Sequence, residues 1–342
     1  MSVKESKRED NLLQTLMYKT RLSWGWATVT IAAVLLLLVL LAVIIDGSFT
    51  RLSDGAFLLN ILNGPILITY VLVIYPFGVN LRERVIQAFE PLLRQNDKVF
   101  NNLVRKIRTP DRIWEWLIVF MGFILTIVVG QPWNLDWSPG GFWVSASKVI
   151  VSPIFNCLLY WFIVDTLNGV VRITQLSRQP LELDILETDL LTPVAQYSLG
   201  ISLIFIGGTS ISLINTTWEQ LLHWNNIMTY SILIVAIVLM FFLSVWGTHN
   251  TIAKMKNREL ALALKHLNEA SKKIKERTLD SQSGSVEELS ATISLWATYR
   301  TLVQQIPTWP FNANIIRRLI ASIIVPAIVY FIKILAGLGI RF

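Results

Sequence analysis

The sequence predicts an all-α, polytopic transmembrane helical bundle of about seven spans, with a helical extension outside the bilayer. Three observations carry that prediction. The composition is lopsided: 53% of residues are hydrophobic and only 15% charged, far from the balance of a soluble domain. The apolar residues come in blocks of membrane-crossing length rather than in a globular scatter. The lysines and arginines gather in every second connector, as topogenic charges do.

The longest block, "SWGWATVTIAAVLLLLVLLAVII" from Ser23 to Ile45, carries no charge. As a helix it is roughly 34 Å long, enough to cross a hydrocarbon core of about 30 Å. It is too long for a signal-peptide apolar region and no small-x-small cleavage site follows, so it reads as a retained span. Six further spans are expected at about 57–79, 113–130, 144–167, 195–214, 227–247 and 316–338. The second and third are the least hydrophobic or the shortest. The chain thus divides into a tail at 1–22, six spans within 23–247 with helical connectors at 80–112 and 168–194, a helical hairpin at 248–311, and a final span within 312–342.

The connectors at 46–56, 131–143 and 215–226 are short and nearly free of basic residues. The tail, the two longer connectors and the stretch from 248 to the foot of the last span hold 26 of the 30 lysines and arginines. Only Arg51, Lys148, Lys333 and Arg341 fall elsewhere. Such a bias expects the amino terminus in the cytoplasm and, with seven spans, the carboxyl terminus outside the cell membrane. It also explains the net charge of +7 without nucleic acid. The lipid bilayer is the first partner.

On the basic side, "TIAKMKNRELALALKHLNEASKKIKERTL" places Leu260, Leu264, Leu267 and Ile274 at spacings of four, three and seven. "DSQSGS" breaks the pattern with turn-forming residues, and a second helix resumes it through Leu289, Ile293, Trp296 and Val303. Two such stripes pack on each other or on another chain. No breaker except Gly247 separates Trp246 from Lys254, so the sixth-span helix is expected to continue out of the membrane.

An elbow follows. Pro307 ends the second arm, Trp309 sits at the depth an indole prefers, and Pro310 keeps the linker extended ahead of the last span. The basic connector at 80–112 has a helical pattern whose charges either touch anionic lipid or are simply solvated. Glu182, Asp184, Glu187 and Asp189 form an acidic cluster without the glycine or spacing of a calcium hand, and ion pairing or plain solvation explains it better than a cation site. Tryptophans in the opposite connectors, Trp133, Trp137, Trp143, Trp218 and Trp224, suit an interfacial belt or, less simply, an aromatic box.

Chemistry is hard to find. His223, His249 and His266 do not cluster, Cys157 is the single cysteine, and no phosphate-binding loop or nucleophile elbow occurs. The sequence therefore predicts no catalytic residue, no cofactor and no metal. Asp165 and Lys333 are ionisable residues within spans, each near an end from which it can snorkel. The fifth span, "SLGISLIFIGGTSISLI", carries Ser198, Ser202, Thr209 and Ser212 along one helix, for close packing or for a pore face.

Two resemblances add expectations. Tyr299, Pro307-Thr308-Trp309-Pro310-Phe311 and Pro326 make a carboxyl-terminal region that resembles the end of certain uncharacterised bacterial membrane proteins, and this implies no activity. Seven spans, an inner amino terminus and a long inner extension of the sixth span resemble the plan of the insect odorant and gustatory receptors. That resemblance implies a tetrameric ligand-gated cation channel whose last span lines the pore, where Tyr330 and Lys333 lie. The match is one of architecture: a Thr-Tyr and a Gln-Phe pair mark the last span of those receptors, whereas Tyr330 follows Val329 here and Ala336-Gly337 takes the later position. The expected function is a non-enzymatic membrane protein, an oligomeric ion channel as first reading. A membrane-anchored scaffold that docks a cytoplasmic protein partner is the second, and a secondary transporter the third.

Overall fold

A computed structural model describes residues 22–92, 112–130, 141–179, 191–216, 224–279, 286–310 and 313–337, with isolated positions between them and in the tail. Its regular elements are α1 (Trp24–Ile45), a 3₁₀ segment (Ser48–Ser53), α2 (Gly55–Phe89), α3 (Arg112–Gly130), α4 (Phe142–Ser177), α5 (Thr192–Asn215), α6 (Trp224–Leu279), α7 (Val286–Gln305) and α8 (Ala313–Gly337). Among the described residues there is no strand, as a bilayer requires of anything that is not a closed barrel.

Six of these helices are long and apolar enough to cross a membrane: α1, α2, α4, α5, α6 and α8. The remaining expected span, 113–130, forms α3, whose apolar stretch Ile113–Val128 is shorter. Helices α2 and α4 run 35 and 36 residues, roughly 53 Å each, so both pass well beyond a hydrocarbon core at one end. Helix α6 runs 56 residues without a break, about 84 Å, and its far half projects from that same end of the bundle.

Helix α4 is the hub, in contact with α1, α2, α3 and α6. Helix α5 closes the other side against α2 and α6, and α8 lies outside on α5. Because lipid is as apolar as leucine, burial alone does not hold such helices together, and close approach of backbones must. Glycines provide it. The Tyr70 ring of α2 lies against Gly207 and Gly208 of α5, and its hydroxyl donates to the Ile204 carbonyl at 2.6 Å. Gly247 of α6 rests on Thr174 of α4, and Thr174 Oγ1 donates to the Leu243 carbonyl at 3.2 Å.

The end of α1 is tied to the start of α4. Gly47 turns the chain with a left-handed φ of 66°. Asp46 then accepts the backbone N–H groups of Trp143 at 3.0 Å and Val144 at 2.8 Å. A carboxylate there satisfies orphan donors and complements the positive end of the helix.

At the opposite end α7 folds back along α6. The seam is narrower than the leucine stripe suggests: Ala263 and Ala270 are buried, whereas Leu264 is exposed. Alanines let the two helices approach closely enough for His266 to stack on Trp296, with ring centroids 4.4 Å apart. Tyr299 donates to Glu259 at 3.0 Å. Lys256 Nζ donates to the carbonyls of Gln304 and Ile306, both at 2.7 Å, and a cation there suits the negative end of α7.

Candidate functional site

The strongest concentration of buried polar chemistry lies where α2, α4 and α5 meet, toward the hairpin end. Arg82 of α2 reaches Asp165 of α4, its Nη1 at 3.4 Å from each carboxylate oxygen, and both side chains are only 11% exposed. Asp165 therefore does not snorkel; it is neutralised in place, as an ionisable group inside a bundle must be. Gly169, one helical turn beyond Asp165, leaves the space that the Tyr197 hydroxyl of α5 occupies. Tyr75 packs on Trp161 and stacks on Trp24, with centroids 5.4 Å apart in each case.

The polar chain continues on α3. Trp161 Nε1 donates to Glu115 Oε1 at 3.1 Å, and Glu115 is buried. Trp24 Nε1 donates to the Leu72 carbonyl at 2.8 Å. Five helices thus contribute to one cluster. The void beside Arg82 and Asp165 is about 10 Å³, no more than one water requires. The cluster is a closed lock between helices in this conformation, with no room for a transported solute.

Of the fifth-span hydroxyls of Ser198, Ser202, Thr209 and Ser212, two reach α6 and two bond within α5. Ser198 donates across to the Phe241 carbonyl of α6 at 2.6 Å, and Ser202 and Thr209 donate back to Ser198 and Phe205 carbonyls at 3.0 and 2.8 Å. Ser212 meets the Tyr230 hydroxyl at 3.0 Å. Thr209 and Tyr330 do share one feature: a cavity of about 320 Å³ between α5, α6 and α8, walled also by Ile206, Tyr230, Pro326 and Phe331. The backbone of Lys333 belongs to α8, but its side chain lies outside the described residues, as do the acidic cluster and His223.

The elbow is clamped rather than free. Trp309 stacks on His249 of α6 with centroids 4.0 Å apart and meets Trp246 edge-on. His249 Nδ1 lies 3.1 Å from the Thr308 carbonyl, so that nitrogen is the donor. Pro307 and Pro310 flank this contact just beyond the end of α7 at Gln305. Helix α6 and the entry of α8 are thereby linked through Thr308 and Trp309.

Sequence reasoning missed three positions. Arg82 counts as one more topogenic charge until its partner 83 residues away is known. Glu115 was visible as a carboxylate in the apolar run "IWEWLIVF". Lys148 is one of only four basic residues outside the basic segments, and it lines a second large cavity, between α1, α2, α3 and α4. No group of three metal-ligating side chains forms among the described residues. Compared with protein-family models, curated proteins and solved structures, the chain matches none of them.

Proposed function

We propose that this is a non-enzymatic, seven-span integral membrane protein, tail in the cytoplasm, that assembles as a homo-oligomer around α8 and conducts ions there. The observation that carries the reading is the placement of α8. Only 6% of its apolar window is buried, and it touches the bundle mainly through α5. The α5 hydroxyls already have hydrogen-bond partners within the chain, which favours a conduction path shared between copies, and α8 is the surface available for sharing. Helix α3 supports the seventh span. It lies along α4 from Glu115, opposite Trp161, to Ile127, beside the cavity that Ser147 and Phe155 line. Its 19 residues are roughly 28 Å long.

Particle mass in lipid nanodiscs and currents across planar bilayers test this reading together. A ring of copies that passes ions is expected; a single chain that passes none refutes it. Tags on both termini of the protein in intact cells test the span count, and two tags that report the same compartment contradict it.

A scaffold role has one observation in its favour. Leu262, Leu295 and Leu302 are exposed on the α6–α7 hairpin around a shallow groove, and exposed leucines of this kind suit a docked helix. A stoichiometric partner that co-purifies, and is lost on deletion of residues 254–305 with membrane insertion intact, favours that reading over conduction.

A further inference from the structure

The cavity that Lys148 lines has a chemistry of its own. It measures about 300 Å³ and lies at the end of the bundle away from the hairpin, walled by Val39, Ile61, Leu67, Ile127, Val151 and Phe155. Six of its other lining residues are polar or charged: Asn60, Asn63, Thr126, Ser147, Lys148 and Ser152. Three of the four helices around it are pinned close by. Asp46 caps α4 from α1, and Gly64 of α2 lies directly against Val151 of α4.

The polar groups divide by whether they are already used. Thr126 and Ser147 donate to the Gly122 and Val144 carbonyls at 2.8 and 2.7 Å. Ser152 Oγ receives Asn156 Nδ2 at 3.4 Å. Asn63 Oδ1 receives Asn215 Nδ2 at 3.2 Å, which leaves the Asn63 amide N–H groups uncommitted. Asn60 and Lys148 have no hydrogen-bond or ionic partner among the described residues. The side-chain groups still available among the described residues are thus an ammonium and two amides, and none of those residues brings a carboxylate to the cavity.

A half-buried cation with amide donors beside it and apolar walls behind it is what an anionic head on an apolar body requires. An intramembrane lysine facing a cavity marks a site by default, because an empty apolar setting penalises its charge. Size narrows the class further. At about 30 Å³ for a water-sized group, the space takes roughly ten non-hydrogen atoms, too few for a two-chain lipid but enough for a short amphiphile or the end of a longer one.

We propose that this cavity binds the anionic head and first carbons of a membrane-borne amphiphile, with Lys148 as its counter-ion and Asn60 and Asn63 as its hydrogen-bond donors. The site needs neither assembly nor conduction. The anion has two sources, a free fatty carboxylate or the headgroup of an anionic phospholipid.

Radiolabelled decanoate titrated onto the full chain in phosphatidylcholine nanodiscs tests the first source, and native mass spectrometry after exchange into phosphatidylglycerol nanodiscs tests the second. Saturable binding of one decanoate per chain, weakened at least tenfold in Lys148→Gln and unchanged in Lys254→Gln, supports the site with the carboxylate as ligand. One retained phosphatidylglycerol that Lys148→Gln loses supports it with the phospholipid. Retention of neither, or binding indifferent to Lys148→Gln, overturns it. Should that variant fail to fold, decylamine competing against wild-type protein decides: displacement of decanoate by the amine at equal concentration overturns the proposal, and failure to displace supports it.

Discussion

Helices α5 and α8 are neighbours of 24 and 25 residues, both apolar enough to span, yet their surroundings are opposite. In α5, 61% of the apolar window is buried; in α8, 6% is. The difference lies in side-chain size. Helix α5 carries Ser198, Gly200, Ser202, Gly207 and Gly208, which let Leu81, Tyr70 and the backbone of α6 come near. Helix α8 presents Ile316, Ile320, Ile324, Ile328 and Ile332 outward, a surface that lipid wets as readily as protein does. Apolarity places a helix in the bilayer, and small residues decide which helices meet there.

The largest effect on this contrast comes from unlocking the packed side. Asp165→Leu leaves the Arg82 guanidinium buried without its carboxylate, an arrangement that costs about 3–5 kcal/mol when a buried pair is broken from one side. Denaturant unfolding in mild detergent is the measurement. The double variant Arg82→Met with Asp165→Leu is expected to recover much of the loss, because no charge is then left buried without its partner. A single variant within about 1 kcal/mol of wild type shows that the pair does not hold α2 to α4.

A smaller effect is expected where α5 meets Tyr70. Gly207→Leu forces a side chain into the space that the tyrosine ring and hydroxyl fill, and overpacking of this kind costs about 1–3 kcal/mol. Adding Tyr70→Ala reopens the space and restores part of the stability in the same unfolding measurement. If the double variant is no better than the single one, α2 and α5 do not cross at these glycines.

Much of the bundle was legible in the sequence, and the reason is the bilayer itself. A solvent that forbids unpaired backbone groups and charges leaves long apolar runs one conformation, so α1, α4, α5 and α8 are visible as blocks of residues. The Gly-Ser content of α5 also signalled close contact. What the sequence does not display is pairing across the fold. Asp165 stands out in an apolar run, but Arg82 is camouflaged among seven other basic residues of its connector. Hairpin register was half visible: on α7 Val303 is buried and Trp296 stacks on His266, while on α6 Ala263 and Ala270 form the seam that leucine counting assigned partly to Leu264. The two large cavities left no trace, because a cavity is a property of several helices at once and periodicity describes one helix at a time.

The finest test of the contrast sets one small truncation in each helix. Ser198→Ala removes a hydroxyl that donates to the Phe241 carbonyl at 2.6 Å; interhelical hydrogen bonds in membranes average about 0.6 kcal/mol, so a loss of that order is expected. Ile328 is 51% exposed on α8, and an exposed truncation away from any packing feature falls within about 0.5 kcal/mol of neutral. On the isolated chain, Ile328→Ala should therefore be the quieter of the two. In nanodiscs the order reverses if copies meet along α8, since truncation at a packed helix contact lowers the oligomer fraction while Ser198→Ala, buried inside one chain, leaves it unchanged. Oligomer mass unaffected by Ile324→Ala and Ile328→Ala together would leave lipid as the only neighbour of that face, and the proposed shared ion path would lose the surface on which it rests.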